Sequence, residues 1–309
     1  MSQAAALAAP ASSNPTLSRR VALLLFAIVI FTWGFNWTVT KLILQSAPPL
    51  WTIAIRSAIA AVVLLPLLMV KGELVLPKRG DMPVVLSIAV LHMTAFAALV
   101  GIALGLIPAG RSIVLGYTTP LWVAPGAALF LGERLSRLQA VGVALGIAGL
   151  ALIFNPAAFD WSDTRALLGN AMILLAALCW AASILHVRAH KWVSTPFQLV
   201  FWEVLLATVL LVIIALIFEG VPKIRWSWQV VGLLLYGGVF GVALAYWAMA
   251  MVNRSLPALT TSLGILATPV VGVLSAVVAL NEALSLPLVG AMLLIGGGIA
   301  LGTLEHWRR

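Results

Sequence analysis

The sequence predicts an all-α polytopic membrane protein of ten helices, arranged as two inverted five-helix repeats. Three observations predict it. The 309-residue chain is 63% hydrophobic and only 9% charged, far outside the range of soluble domains. Apolar stretches of about 20 residues, the length that crosses the hydrocarbon, fill nearly all of it. The chain also repeats itself. Trp33 recurs as Trp180, Lys41 as Arg188, Pro49 as Pro196 and Arg56 as Glu203, and further on Pro108, Pro120 and Glu133 recur as Pro257, Pro269 and Glu282. An odd number of spans per copy turns the second copy over in the bilayer. Strand-type alternation in ten-residue segments is absent, which disfavours a barrel.

The elements follow in order. Residues 1–18, rich in Ala, Ser and Pro, read as a disordered tail. Arg19-Arg20 before an apolar run resembles a signal peptide, but the run is too long for one and holds the repeat-matched Trp33, so 20–43 is a retained first span. Pro48-Pro49 turns the chain into 50–70, and Lys71-Gly72 with Pro77 to Gly80 turns it into 82–105. Pro108 opens 109–131, and Glu133 to Ser136 leads into 137–154, completing a first repeat over 19–154. Residues 155–165, with Asn155-Pro156, Asp160, Trp161 and Asp163, form the linker. The second repeat, 166–309, carries spans at 166–187, 197–218, 228–251, 257–280 and 285–304. With connections this short, successive helices are expected to be antiparallel neighbours.

The net charge of +9 has a topological reading. With both termini cytoplasmic, Arg19, Arg20, Lys71, Lys78, Arg79, Arg134, Arg137, Arg188, Lys191, Arg254, Arg308 and Arg309 lie inside, against Lys41, Arg111, Arg165, Lys223 and Arg225 outside. That is the positive-inside bias, and it argues against nucleic acid as a partner. Trp51, Trp161, Trp226, Trp228 and Trp307 fall at span ends, as an aromatic belt does. Cys179 stands alone, so neither a disulfide framework nor a thiol metal cluster is expected. Gly142, Gly146 and Gly149 in the fifth span, and Gly296-Gly297-Gly298 with Gly302 in the tenth, are small faces for close helix packing, within one molecule or between two in a homodimer.

Inverted repeats of membrane helices are the usual build of a secondary transporter, with a site between the halves near the midplane. Other classes lack their signatures. There is no H-E-x-x-H, G-x-S-x-G or phosphate-cradling loop, so neither an enzyme nor an ATP-driven pump is indicated, and no cofactor or metal is expected. Neither charge rings nor a carbonyl filter suggests a channel. A scaffold or receptor without flux stays as the alternative outside the transporter class.

The segment Pro108 to Pro120, then Leu131-Gly132-Glu133-Arg134-Leu135-Ser136 with Gln139, Gly142 and Gly149, resembles the EamA-type branch of the drug/metabolite transporter superfamily. Pro257 to Pro269 with Leu280-Asn281-Glu282-Ala283-Leu284-Ser285 repeats the pattern, with Asn281 where Gly132 stands, and Trp33-Gly34-Phe35-Asn36 also fits. Within the branch the nearest resemblance is to bacterial aromatic amino-acid exporters of the YddG type. The resemblance implies a central cavity, alternating access, the inner membrane, and export of amino acids, aromatic or otherwise hydrophobic. A broad drug or metabolite exporter is the runner-up.

Candidate cavity residues are polar or aromatic groups that lipid would otherwise exclude. His92 lies mid-span, where a histidine is costly unless it faces a cavity or bonds a neighbouring carbonyl. Tyr117, Trp33, Trp180, Tyr246 and Trp247 sit deep in their spans and suit a flat hydrophobic substrate, or equally core packing. Pro120 and Pro269 each remove a helix hydrogen bond, as flexing points or simple kinks, and Thr118, Thr119 and Thr268 could offer hydroxyls to substrate or bond back to the helix. Arg56 and Glu203 are repeat-matched charges. Each lies about six residues into its span, so at 1.5 Å per residue each is ~9 Å below opposite faces, leaving ~12 Å of depth between them. They are therefore expected to find separate partners, Glu203 among Arg134, Arg137 and Arg188, and Arg56 with Glu282; proton coupling through Glu203 is the alternative. Glu133 and Glu282, three residues before a serine, are expected to complement the start of the helix that follows.

Overall fold

The structure, a computed structural model, describes residues 17–154, 160–256 and 258–306, and every element among them is helical. The first sixteen residues of the expected tail, Asn155-Pro156 in the linker, Pro257 and the C-terminal Trp307 to Arg309 lie outside the described residues.

Local chemistry sets the boundaries. Ser18 caps α1 (Arg19–Ile43), and α2 (Pro49–Val70) starts on proline, whose missing N–H costs nothing there. Next come α3 (Met82–Leu104) and α4 (Ala109–Phe130). α5 (Arg137–Ile153) opens with a full capping box between Ser136 and Gln139. Asp163 caps α6 (Thr164–Ala189) through the N–H groups of Arg165 and Ala166, and Thr195 with Gln198 boxes α7 (Pro196–Phe218). Ser227 caps α8 (Trp228–Asn253). α9 joins Ala258–Gly264 to Ala267–Leu280, and α10 is Leu286–His306. Eight of these helices are long and apolar enough to cross a membrane by length and composition, while Arg137–Ile153 and Ala267–Leu280 are shorter apolar helices. At 1.5 Å per residue the 17 residues of α5 reach ~26 Å, just under a ~30 Å hydrocarbon core.

The repeat is visible in irregularities the sequence did not announce. α3 carries nine residues of π-helix at Ile88–Phe96, and α8 carries nine at Tyr236–Leu244, the equivalent stretch of the second half. α4 is broken at Tyr117–Thr118 and α9 at Ile265–Leu266. After α4 the backbone turns left-handed at Gly132 (φ +68°), and after α9 at Asn281 (φ 54°), the single non-glycine with positive φ among the described residues. Asn replaces Gly there because it is among the few L-residues that tolerate this conformation at a helix end.

The two halves interdigitate, which corrects the expectation that successive helices are neighbours. α1 and α2 barely touch, and neither do α6 and α7. The heaviest packing joins α5 to α10, α3 to α6, α1 to α8, α2 to α7, α1 to α9 and α4 to α6, and each of these pairs maps onto itself or another when the halves are exchanged. The glycine faces serve this packing. A Cβ on Gly142 would run into the Gly298 carbonyl and one on Gly298 into the Gly142 carbonyl, so α5 and α10 meet backbone to backbone inside one molecule. Trp161, Trp226 and Trp228 are exposed at helix ends, while Trp51 donates its indole N–H to the Gly220 carbonyl at 2.8 Å. Cys179 is a free, half-buried thiol.

Candidate functional site

One face of α1 supplies the start of the site. Trp33, Asn36, Trp37 and Thr40, spaced i, i+3, i+4, i+7, share a stripe that looks into a central cavity of about 160 Å³. α2 adds Ile53, Arg56 and Ser57 on the same helical logic, and α3 adds His92 and Phe96. The π-helical turn around His92 widens α3 where the cavity begins, a common use of such segments. Tyr117, at the break in α4, Trp180 of α6 and Tyr246 of α8 complete the wall.

The rings form a connected cluster. The His92 imidazole stacks on Trp180 with centroids 5.0 Å apart and planes 5° from parallel. Phe96 meets Trp180 at 5.1 Å and His92 at 5.7 Å, and Tyr246 meets His92 and Trp33 at 6.1 Å each. Tyr117 approaches Trp180 edge-on at 6.3 Å, and Trp37 approaches Phe96 at 6.5 Å. The structure thus brings together His92, Tyr117, Trp33, Trp180 and Tyr246. It also recruits Trp37, Phe96, Asn36 and Thr40, which the i, i+3, i+4, i+7 spacing from Trp33 and His92 could have found, and Ser57, which no such spacing from a candidate marks.

Thr119 stands apart. Its hydroxyl donates to the carbonyls of Gly116 at 2.9 Å and Ala177 at 3.3 Å, so it secures the break in α4. Thr118 likewise donates to Leu115 at 2.7 Å. Pro120 and Pro269 do not interrupt continuous helices. They sit in the first turn after each break, where a missing N–H is cheapest, and the break itself is the discontinuity.

The two embedded charges have partners unlike those expected. Arg56, 5% exposed, donates from its terminal nitrogens to Thr40 Oγ1 at 2.5 Å and Asn36 Oδ1 at 2.6 Å, both neutral. α8 can approach it because Gly237, Gly238 and Gly241 carry no side chain; a Cβ on Gly237 would strike the guanidinium. Glu203 is buried, and its Oε1 has no hydrogen-bond partner. Repeat geometry explains the difference, since Asn36 and Thr40 on α1 are matched by Ser183 and Val187 on α6, and Gly237 by Ala89. Among the described residues the ion pairs are Arg188–Glu133 and His190–Asp81, so neither Arg56 nor Glu203 meets an opposite charge.

The carboxylates at the bundle ends tie elements across the fold. Glu282 does not serve the helix that follows it or pair with Arg56; it accepts the N–H groups of Ala109 at 2.6 Å and Gly110 at 2.8 Å, at the start of α4. Glu219 likewise accepts from Leu50 and Trp51 at the start of α2. Glu133 accepts from Arg188 at 2.7 and 2.9 Å instead of capping α5. Asp81 receives the N–H groups of Val193 at 2.9 Å and Ser194 at 2.8 Å and lies 3.3 Å from His190 Nε2. Burial works against its charge, but the donors from Val193, Ser194 and His190 outweigh that and hold the carboxyl at about 2. Among the described residues no group of His, Cys, Asp and Glu could hold a metal ion.

The chain matches the model of the EamA-like transporter family over residues 20–155 and 167–304. It is 25% identical over 282 residues to the uncharacterized transporter YoaV of Bacillus subtilis, covering 91% of this chain and 96% of that one. It is 30% identical over 286 residues to the probable amino-acid metabolite efflux pump of Salmonella typhimurium, covering 87% and 91%. The riboflavin transporter of Vibrio cholerae matches at 30% over 164 residues, about half of each chain. A solved crystal structure shares the fold with a TM-score of 0.66 at 23% identity, covering 94% of this chain and all of the other.

Proposed function

The chain belongs to the EamA-like transporter family, and from that premise we propose that it exports aromatic or other hydrophobic amino acids across the inner membrane by alternating access. In this reading ten helices cross the bilayer as two inverted five-helix repeats, and the end that holds Asp81 and Glu133 faces the cytoplasm with both termini. The observation that carries the reading is the ring-lined cavity. Its aromatic surface gives a flat apolar side chain large contact area, and the imidazole stacked on Trp180 adds a polar edge in the wall. The relative named as an amino-acid metabolite efflux pump supports the substrate class.

The chain's own parts suggest how access alternates. The breaks at Tyr117–Thr118 and Ile265–Leu266 are repeat-matched, and the first borders the cavity through Tyr117, so they are the flexing points, with Pro120 and Pro269 opening the half-helices beyond. Glu203 sits one residue from the cavity-lining Val204, and an unpartnered intramembrane carboxylate there suits proton coupling. The rings would also accept a larger planar ring system, and the relative named as a riboflavin transporter favours that broader second reading.

Counterflow of labelled phenylalanine and tryptophan in proteoliposomes tests the proposal. The expected result is flux above protein-free vesicles, competed by unlabelled aromatic amino acids. Absence of protein-dependent flux for every amino acid tried sinks the amino-acid reading, and flux of riboflavin alone selects the second.

A further inference from the structure

We propose that Arg56 is the anchor for a carboxylate on the transported molecule, so that the cavity takes an anionic or zwitterionic compound with a flat apolar tail and rejects the corresponding plain amine. This rests on the reading of the cavity as the transport site.

Charge comes first. A guanidinium enclosed at membrane depth is costly unless an anion or a full set of acceptors accompanies it. Arg56 is 5% exposed and lines the cavity, and its acceptors, Thr40 and Asn36, are neutral. Among the described residues no carboxylate lies within ion-pair distance of it.

The donor count points the same way. Guanidinium carries five N–H donors in a fixed fork. Thr40 and Asn36 take one each, and Nε has no partner at all. Those two neutral acceptors fix the plane of the group without neutralising it, and with Nε packed against Gly237 the second N–H of each terminal nitrogen is left for a carboxylate. Arginine is the side chain suited to that match, since its fork meets a carboxylate bidentately.

The device belongs to one half alone. The repeat equivalent of Arg56 is Glu203, and α6 replaces Asn36 and Thr40 with Ser183 and Val187. On α8, Gly237 makes room for the guanidinium, Gly241 for the Asn36 amide that holds it and Gly238 for the α2 backbone beside it, where α3 has Ala89, Met93 and Val90 in the matching places. A residue needed only to hold the repeat together would recur in both copies. This cradle does not. With the head group at Arg56, the tail of the ligand reaches the same cavity's Trp33, Trp37 and Phe96.

The test uses the intact protein and four small probes: phenylalanine, phenylalaninamide, phenylacetate and phenethylamine. Binding is read as ligand-induced stabilisation of the purified transporter, and transport as competition against labelled phenylalanine. The two probes that keep the carboxylate are expected to bind roughly tenfold or more tightly than their partners without it. Arg56→Gln is expected to erase that difference, and Arg56→Lys to keep part of it. Because the wild-type comparison needs no variant, a poorly folding Arg56→Gln leaves the test intact. Phenylacetate binding without any amino-acid flux keeps the anchor and sinks only the amino-acid reading. Amino-acid flux in which phenethylamine competes as well as phenylalanine keeps that reading and overturns the anchor. Binding of none of the four overturns it as well.

Discussion

Replacing Asp81 by Asn removes a charge held by the loop between α6 and α7. The carboxylate has no accessible surface and receives two backbone N–H groups, from Val193 and Ser194, with His190 at 3.3 Å. Its folded value of about 2 against an ordinary 3.8 corresponds to roughly 2 kcal/mol of stabilisation. Water reaching this end of the bundle trims that figure to about 1–2 kcal/mol. The sign follows from the depressed value. A carboxyl whose folded value lies below its unfolded one stabilises the fold above about 3.8, and that contribution drains away as the pH falls towards about 2. Thermal unfolding followed by tryptophan fluorescence should therefore show Asp81→Asn melting roughly 2–4 °C below wild type at neutral pH. The gap should narrow on acidification through that window. Equal melting at neutral pH, or a gap that stays constant down to the lowest pH at which the protein remains folded, would refute the reasoning.

Three further outcomes are expected. His92→Leu loses the parallel stack on Trp180, worth about 0.5–1.5 kcal/mol, and should weaken competition by tryptophan roughly three- to tenfold while leucine changes little; equal losses for both would assign His92 to packing alone. Glu203→Gln should melt no lower than wild type, because no partner is orphaned, and should lose the stimulation of flux by a pH gradient; unchanged gradient dependence removes Glu203 from coupling. Gly142→Val drives a side chain into the Gly298 carbonyl and should cost about 2–4 kcal/mol by prising α5 from α10. A melting temperature like wild type's would mean that the contact between those helices is not tight.

Much of this molecule can be read along the chain because a bilayer admits few solutions. Apolar runs, prolines at N1 and Ser/Thr caps place the helices to within a few residues, and Trp33, His92, Tyr117, Trp180 and Tyr246 stand out because lipid gives such groups no reason to lie deep. What was hidden lies between helices. Glu282 precedes Ser285, so the local pattern points to the next helix, yet its carboxylate reaches the start of α4 more than 170 positions away. Arg56 was expected to seek an acid, and the periodic face of α1 supplies Asn36 and Thr40 instead. The π-helical turns leave no residue signature, since Ile88–Phe96 and Tyr236–Leu244 are as apolar as their flanks.

The interdigitation of the halves bears on how the protein is made. α1 and α2 leave the ribosome with little to hold them to each other, and their main partners, α8 and α9 for the first and α7 for the second, are synthesised later. Until then the first half is a loose set of inserted helices whose glycine face on α5 awaits α10, the last to arrive. A chain truncated before α10 should be a substrate for membrane quality control, whereas the two halves expressed as separate polypeptides should find each other, since the surfaces that bind them are those the intact chain already uses.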